Sequence, residues 1–259
     1  MKANANGVVI SLKDQVAVVT GGSRGIGAAI VKLFSRAGAR VVFSYHRHRQ
    51  AAERLAAQCA PAAVTRRADA SRLNDARRLI AEAVRRFGRL DILVANAGIW
   101  NPDDLPIDRM TEEQWNQMIA VNLKGVFTVT KFAVAQMKKQ KSGRVIAISS
   151  TAGQRGEALH THYAAAKGGI ISFVKGLSTE LAPYNIRVNC VAPGWVMTDM
   201  AAPALRTPAE RRKVLSTIPL GRVARPEEIA APVLFLASDL ATFITGEILN
   251  VNGGAVLVG

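Results

Sequence analysis

A short β-branched run, Val16-Ala-Val-Val-Thr20, leads into Gly21-Gly22-Ser23-Arg24-Gly25-Ile26-Gly27, and helical periodicity then runs from about Ile26 to Ala37. A buried strand that turns through spaced glycines into a helix is the opening of a strand–helix–strand unit. Glycine lets the backbone turn tightly there. It also lets an anion such as a dinucleotide pyrophosphate approach the helix N-terminus, where free N–H groups and the helix dipole favour negative charge. The spacing is Gly-x3-Gly-x-Gly, not Gly-x-Gly-x-x-Gly. Nucleotide binding is therefore argued from the strand-turn-helix setting, with a purely structural connection as the alternative.

The alternation continues. Strands are expected at Arg40–Tyr45, Ala63–Arg66, Leu90–Ala95, Arg144–Ser149, Arg187–Ala192 and Glu247–Val251. Between them lie helices at Arg49–Gln58, Leu73–Phe87 (closed by Gly88), Thr111–Lys139, Thr161–Leu181 and one starting at Pro226. Thr111-Glu-Glu-Gln114 has the form of a capping box. Strands and helices in this order imply an α/β fold: a single doubly wound Rossmann domain, its seven-stranded parallel sheet flanked by helices on both faces. Ligands then sit at the carboxyl ends of the strands. The 259 residues read as one domain (1–259), with a loose arm at 1–12 and a substrate lid at 195–215.

Composition excludes several classes. No uninterrupted apolar stretch approaches the roughly 18 residues of a membrane span, and the first residues lack the form of a signal peptide. Cys59 and Cys190 are the only cysteines and have no metal-type spacing, so both are expected as free thiols. His46, His48, His160 and His162 have no clustered acid or cysteine, and no metal site is expected. The net charge of +15 is concentrated: Arg36 to Arg89 holds thirteen arginines, no lysine and four acids, a net +9. Many of these arginines fall opposite Leu73, Ala76, Ile80, Ala83 and Phe87 on one helix. A solvated helix face explains that pattern, and attraction to anionic ligands is the functional alternative. Without aromatic interleaving or a basic recognition helix, nucleic acid is not an expected partner.

A ribose-binding acid is expected about twenty residues past the glycine turn. Tyr45 stands there instead, followed by His46, Arg47, His48 and Arg49. The missing carboxylate removes a 2′-hydroxyl acceptor and also the repulsion against a 2′-phosphate. Arg24 and Arg47 offer charge-assisted donors to that phosphate. The pattern favours NADP (NADPH) over NAD.

Tyr163 and Lys167 are four residues apart on one predicted helix, and Ser150 lies thirteen before the tyrosine. An i,i+4 pair shares a face, so an ammonium beside the phenol is expected to favour phenolate and ready the tyrosine for proton transfer. By itself such a pair is as easily an ordinary surface contact. His160 and His162 are read either as lid residues or as plain surface residues.

Thr20-to-Gly27, Asp69, Asn96-Ala97-Gly98, Asn122, Ser150, Tyr163-x3-Lys167 and Pro193-Gly194 leading to Thr198 occur in an order that resembles the short-chain dehydrogenase/reductase family over residues 12–257. The 3-oxoacyl-acyl-carrier-protein reductase branch is the most similar in look, through Ile248-Leu-Asn-Val-Asn-Gly-Gly254. That resemblance implies a set of roles. Gly21, Ser23, Arg24, Gly25, Ile26 and Gly27 would hold the pyrophosphate side, with Tyr45, His46 and Arg47 at the adenosine ribose. Asp69 and Ala70 would meet the adenine, and Asn96, Ala97 and Gly98 would line the adenosine side. Pro193, Gly194, Val196 and Thr198 would hold the carboxamide.

In the same implied scheme Ser150 binds the substrate oxygen, and Ser149 is a structural strand-end residue. Tyr163 donates the proton, Lys167 holds the nicotinamide ribose and lowers the tyrosine pKa, and Asn122 anchors a relay water. The resemblance further implies a cytoplasmic homotetramer that reduces a small-molecule ketone, either free or carried on acyl-carrier protein or CoA. Oxidative alcohol, sugar or steroid dehydrogenation remains open, as does a non-catalytic nucleotide-binding scaffold. Substrate choice is expected in residues 100–110, 154–162 and 195–215, where loops vary most.

Overall fold

The computed structural model describes residues 9–257. Residues 1–8 of the expected arm lie outside that range, and Leu12 already belongs to the core, fully buried, with its N–H donated to Ala37. Seven parallel strands form one sheet: β1 Val16–Val19, β2 Arg40–Tyr45, β3 Ala63–Arg67, β4 Ile92–Ala95, β5 Gly143–Ile148, β6 Ile186–Pro193 and β7 Ile248–Val251. Their spatial order is β3-β2-β1-β4-β5-β6-β7. The direction of winding reverses between β1 and β4, which opens a crevice at their carboxyl ends.

Side-chain alternation along each strand divides the core between the two faces of the sheet. Ala17 and Val19 of β1, with Val41 and Phe43 of β2, pack beneath α1 (Gly25–Arg36), α2 (Arg49–Gln58) and α9 (Pro226–Ala237). Val16, Val18 and Val42 face the other way, toward α3 (Leu73–Phe87), α5 (Gly125–Gln140) and α7 (Thr161–Leu181). Because both faces are covered, the central strands β1 and β4 are apolar and buried throughout, while the edge strand β3 turns polar at Thr65-Arg66-Arg67. Phe34 and Phe43 are fully buried in the first layer. Truncating either to alanine costs on the order of 3–5 kcal/mol for a core aromatic.

Two departures from the expected elements bear on function. The helix expected at 111–139 is split into α4 (Glu112–Ile119) and α5 by a π turn at Ala120–Lys124. Helical periodicity cannot show one inserted residue, and π turns concentrate at functional sites. Thr111 and Gln114 do form the capping box. Two short helices also appear, α6 (Thr151–Arg155) and α8 (Pro208–Leu215).

By length and mean composition the 112–140 stretch is apolar enough to cross a membrane, although polar residues such as Asn122 and Lys124 interrupt it. Here, however, α5 packs on α3, β4 and β5 as a core helix. Of the apolar series on α3, Leu73 is exposed, because it stands at the first turn before the helix meets the sheet. Three of its four arginines are paired: Arg78 with Asp75, and Arg85 and Arg86 with Glu82, which also meets Arg66 of β3.

Candidate active site

The carboxyl ends of the strands border one cleft of about 660 Å³, and every site residue named above lines it. At its centre the glycine turn bridges β1 and α1. Gly25 has φ +54, and a side chain there would press on Thr198 Cγ2 at 3.1 Å, so the turn and the segment after β6 fit only around glycine. A Cβ on Gly27 would lie 2.2 Å from the Gly21 carbonyl oxygen. The turn is pinned from below. Thr20 Oγ1 accepts from the Asn96 and Ala97 N–H groups at 3.0 Å, and Asn96 Nδ2 donates to the Thr20 and Gly21 carbonyls at 2.9 and 3.2 Å. Asn96 thus ties the end of β4 to the turn.

The end of β2 carries no acid. Tyr45 pairs with Arg67 of β3, and His46, Arg47 and His48 rim the cleft. Arg24 Nη1 reaches Asp199 Oδ2 at 3.3 Å, a contact across the mouth between the glycine turn and the segment after β6. Arg47 is exposed and forms no ion pair among the described residues. Asp69 accepts from the Ser71 N–H and hydroxyl at 3.0 and 2.7 Å, with His46 Nε2 at 3.9 Å and Arg72 Nε at 3.6 Å from its other oxygen. A glycine cradle at a helix N-terminus fits a dinucleotide pyrophosphate, and Arg47 stands beyond the acid-free end of β2 without an ion pair among the described residues. Among the described residues no three His, Cys, Asp or Glu side chains group as a metal site.

Deeper in the cleft, three elements bring Asn122, Ser150, Tyr163 and Lys167 together: the π turn, the start of α6 and α7. Ser150 is the N-cap of α6, its hydroxyl accepting from the Ala152 N–H at 3.1 Å. Ser149 points away and donates to the Lys167 carbonyl at 2.8 Å, a structural bond. Lys167 is buried on α7. Its Nζ donates to the Ile148 carbonyl at 2.8 Å and sits 5.8 Å from the Tyr163 ring centroid. The π turn aims Asn122 at the loop after β4. Asn122 Oδ1 accepts from Ile99 N–H at 3.0 Å, while Nδ2 donates to the Ile99 carbonyl at 3.0 Å and the Met118 carbonyl at 3.2 Å. Asn122 Oδ1 and Lys167 Nζ would lie 2.6 and 3.6 Å from a Cβ on Gly98.

One electrostatic expectation is corrected. Lys167 does not lower the tyrosine pKa in this state. Burial pushes the Tyr163 phenol up to about 12, against the effect of the Ser150 hydroxyl and with added repulsion from Glu157. Burial likewise lowers Lys167 to about 8. Each group is driven toward its neutral form because the cleft withholds water from both.

A second correction concerns the histidines. His160 and His162 are buried, not surface residues. The His160 ring stacks on Trp100 at 5.1 Å, and Trp100 meets Trp195 edge-on at 5.9 Å. With Arg155, Glu157, Met200 and Ala201, the two tryptophans line the outer cleft. All six lie in the three segments expected to govern substrate choice. Glu157 was not singled out individually: an acid in a loop carries no periodic signal, and only the turn between α6 and α7 brings it over Tyr163.

A family profile described as Enoyl-(Acyl carrier protein) reductase matches residues 21–256. The chain belongs to the short-chain dehydrogenase/reductase family. It is 41% identical over 246 residues to the 3-oxoacyl-[acyl-carrier-protein] reductase FabG of Chlamydia trachomatis, covering 94% of this chain and 98% of the relative. It is also 39% identical over 250 residues to the L-rhamnose 1-dehydrogenase (NAD(P)(+)) of Azotobacter vinelandii, covering 94% and 97%. The crystal structure of a short-chain dehydrogenase/reductase of the glucose/ribitol dehydrogenase type from Brucella melitensis superposes with a TM-score of 0.89, at 35% identity over 97% of this chain and 100% of that one. The protein is therefore an oxidoreductase of this family, with a nicotinamide cofactor implied.

Proposed function

We propose that the protein is an NADP(H)-dependent carbonyl reductase that converts a ketone to a secondary alcohol. The observation that carries this reading is the convergence of Ser150, Tyr163 and Lys167 on the floor of a cleft whose other end is a glycine cradle with unpaired Arg47 at its rim. NADPH, when bound, supplies the hydride that the carbonyl carbon accepts. The chain supplies the rest. Ser150 donates a hydrogen bond to the carbonyl oxygen, which gains negative charge as the hydride arrives. The Tyr163 hydroxyl gives that oxygen its proton, and a phenol held neutral by burial is in the form that can do so. Lys167, anchored on the Ile148 carbonyl, orients the nicotinamide ribose beside the phenol. Asn122 fixes the peptide of Ile99, and with it the Gly98–Ile99 wall of the site.

Likeness to 3-oxoacyl-acyl-carrier-protein reductases makes a 3-oxoacyl thioester the first substrate to assay, on acyl-carrier protein or CoA. A cytoplasmic homotetramer is the matching assembly, checked by sedimentation. Oxidative sugar dehydrogenation is the second reading, favoured by the carboxylate of Glu157 in the outer cleft and by the likeness to a rhamnose dehydrogenase. Initial rates of NADPH oxidation with acetoacetyl-CoA, simple ketones, quinones, sugars and steroids test the assignment. Turnover of none of them would remove it.

A further inference from the structure

The outer cleft holds a polar corner that the reduction step does not use. Glu157 lies in the turn between α6 and α7 and lines the cleft next to Tyr163, its side chain 23% exposed. Its carboxylate is 3.9 Å from His160 Nδ1 and shares the cleft wall with Trp100. The His160 ring stacks beneath Trp100 with 26° between planes, so a buried ring fixes the indole in place. Trp195 meets Trp100 at 89°, and the two indoles make a right-angled wall beside the acid.

Ionised, a carboxylate accepts at about four lone-pair positions. His160 Nδ1 lies nearer the Ala158 carbonyl, at 3.3 Å, and at 3.9 Å is beyond hydrogen-bond reach of the acid, whose accepting capacity is left largely unused in a partly buried setting where unmet polar atoms are unfavourable. A ligand entering past Glu157 is thus selected for a donor that can complete the carboxylate. Arg155 already sets positive charge beside that acid, so a neutral donor fits better than an ammonium. The indole faces suit the C–H surface of a compact polyol. An unbranched acyl chain would cover the carboxylate and offer it nothing.

Resting on the carbonyl-reductase reading, we propose that Glu157, against the Trp100–Trp195 wall, selects carbonyl substrates that carry hydroxyl groups close to the reacting carbon. Small hydroxyketones and sugar-like carbonyl compounds are that class. Glu157 acts here as a specificity residue, and the proton and hydride steps are left to Tyr163 and the cofactor.

The test uses shape-matched pairs, hydroxyacetone against butanone and dihydroxyacetone against pentan-3-one, with NADPH as reductant and acetoacetyl-CoA alongside. The wild type is expected to favour the hydroxylated member by at least about tenfold in kcat/KM, as a site that hydrogen-bonds its substrate rejects analogues lacking the group. E157A is expected to shrink that ratio at least about fivefold, chiefly through KM, with E157Q in between. A wild-type ratio near one, a ratio unchanged in E157A, or faster turnover of acetoacetyl-CoA than of any hydroxyketone would overturn the proposal.

If no compound is reduced, the reductase reading fails, and binding still judges the corner. Xylitol should then shift the tryptophan emission, pentane-1,5-diol should not, and E157A should abolish the difference. Equal responses to the two would overturn it.

Discussion

The side chain of Asn122 brackets the peptide of Ile99, accepting from its N–H at 3.0 Å and donating to its carbonyl at 3.0 Å. A π turn in one helix thereby sets the position of the loop that carries Gly98, beside Lys167. Asn122→Ala leaves both backbone groups of Ile99 unpaired in a partly buried setting. The expected loss is about 1–3 kcal/mol of stability, together with a lower kcat. Urea midpoints and steady-state rates measure the two; an unchanged midpoint would show that the bracket contributes nothing.

Gly98 tests the same contact from the other side. The Cβ of Gly98→Ala would come within 2.6 Å of Asn122 Oδ1, so one of the two must move. Activity should fall further than stability, because the displaced wall lines the cleft while most of the core is untouched. A Gly98→Ala enzyme with wild-type kcat/KM would mean the wall can shift without consequence for the site.

Arg47 stands unpaired where a β2 acid would otherwise meet the ribose. Arg47→Asp should raise the KM for NADPH by about tenfold or more, the value of one charge-assisted hydrogen bond, while that for NADH changes little or falls. An unchanged NADPH-to-NADH ratio would remove Arg47 from any phosphate role. Arg24, held by Asp199 in this state, should show a smaller effect because its partner must first be displaced.

Lys167 makes stability depend on pH. Its pKa is lowered by burial from an ordinary 10.5 to about 8 in the folded protein. Between those values the unfolded chain binds more protons than the folded one, so stability rises with pH across that window. Above pH 10 Tyr163 acts in the opposite sense, because its folded value is raised from 10.0 to about 12. Compared with Lys167→Met, the wild type should gain stability from pH 8 to about 10 in urea titrations. Parallel curves for the two proteins would place the lysine in water.

Much of this was legible from residue order. The strand, helix and turn from Val16 to Gly27 is set by local chemistry, and β2, α2, α3 and α7 begin and end where their periodicity and glycines do. What escaped the sequence were effects of three-dimensional surroundings. The π turn at Asn122 is a one-residue insertion that apolar spacing does not register. The burial of His160 follows from Trp100 folding over the turn, a contact sixty residues away in sequence. An i,i+4 neighbour suggested a lowered tyrosine pKa, but the cleft excludes water from both groups and raises it.

The central claim is that Tyr163 delivers the proton in an NADPH-dependent reduction. Tyr163→Phe keeps the ring and removes only the hydroxyl, so NADPH affinity measured by fluorescence titration should stay within about threefold while kcat falls at least about a hundredfold, the usual weight of a general acid. Assayed with whichever carbonyl compound the wild type reduces best, a Tyr163→Phe enzyme that keeps wild-type kcat would contradict the account.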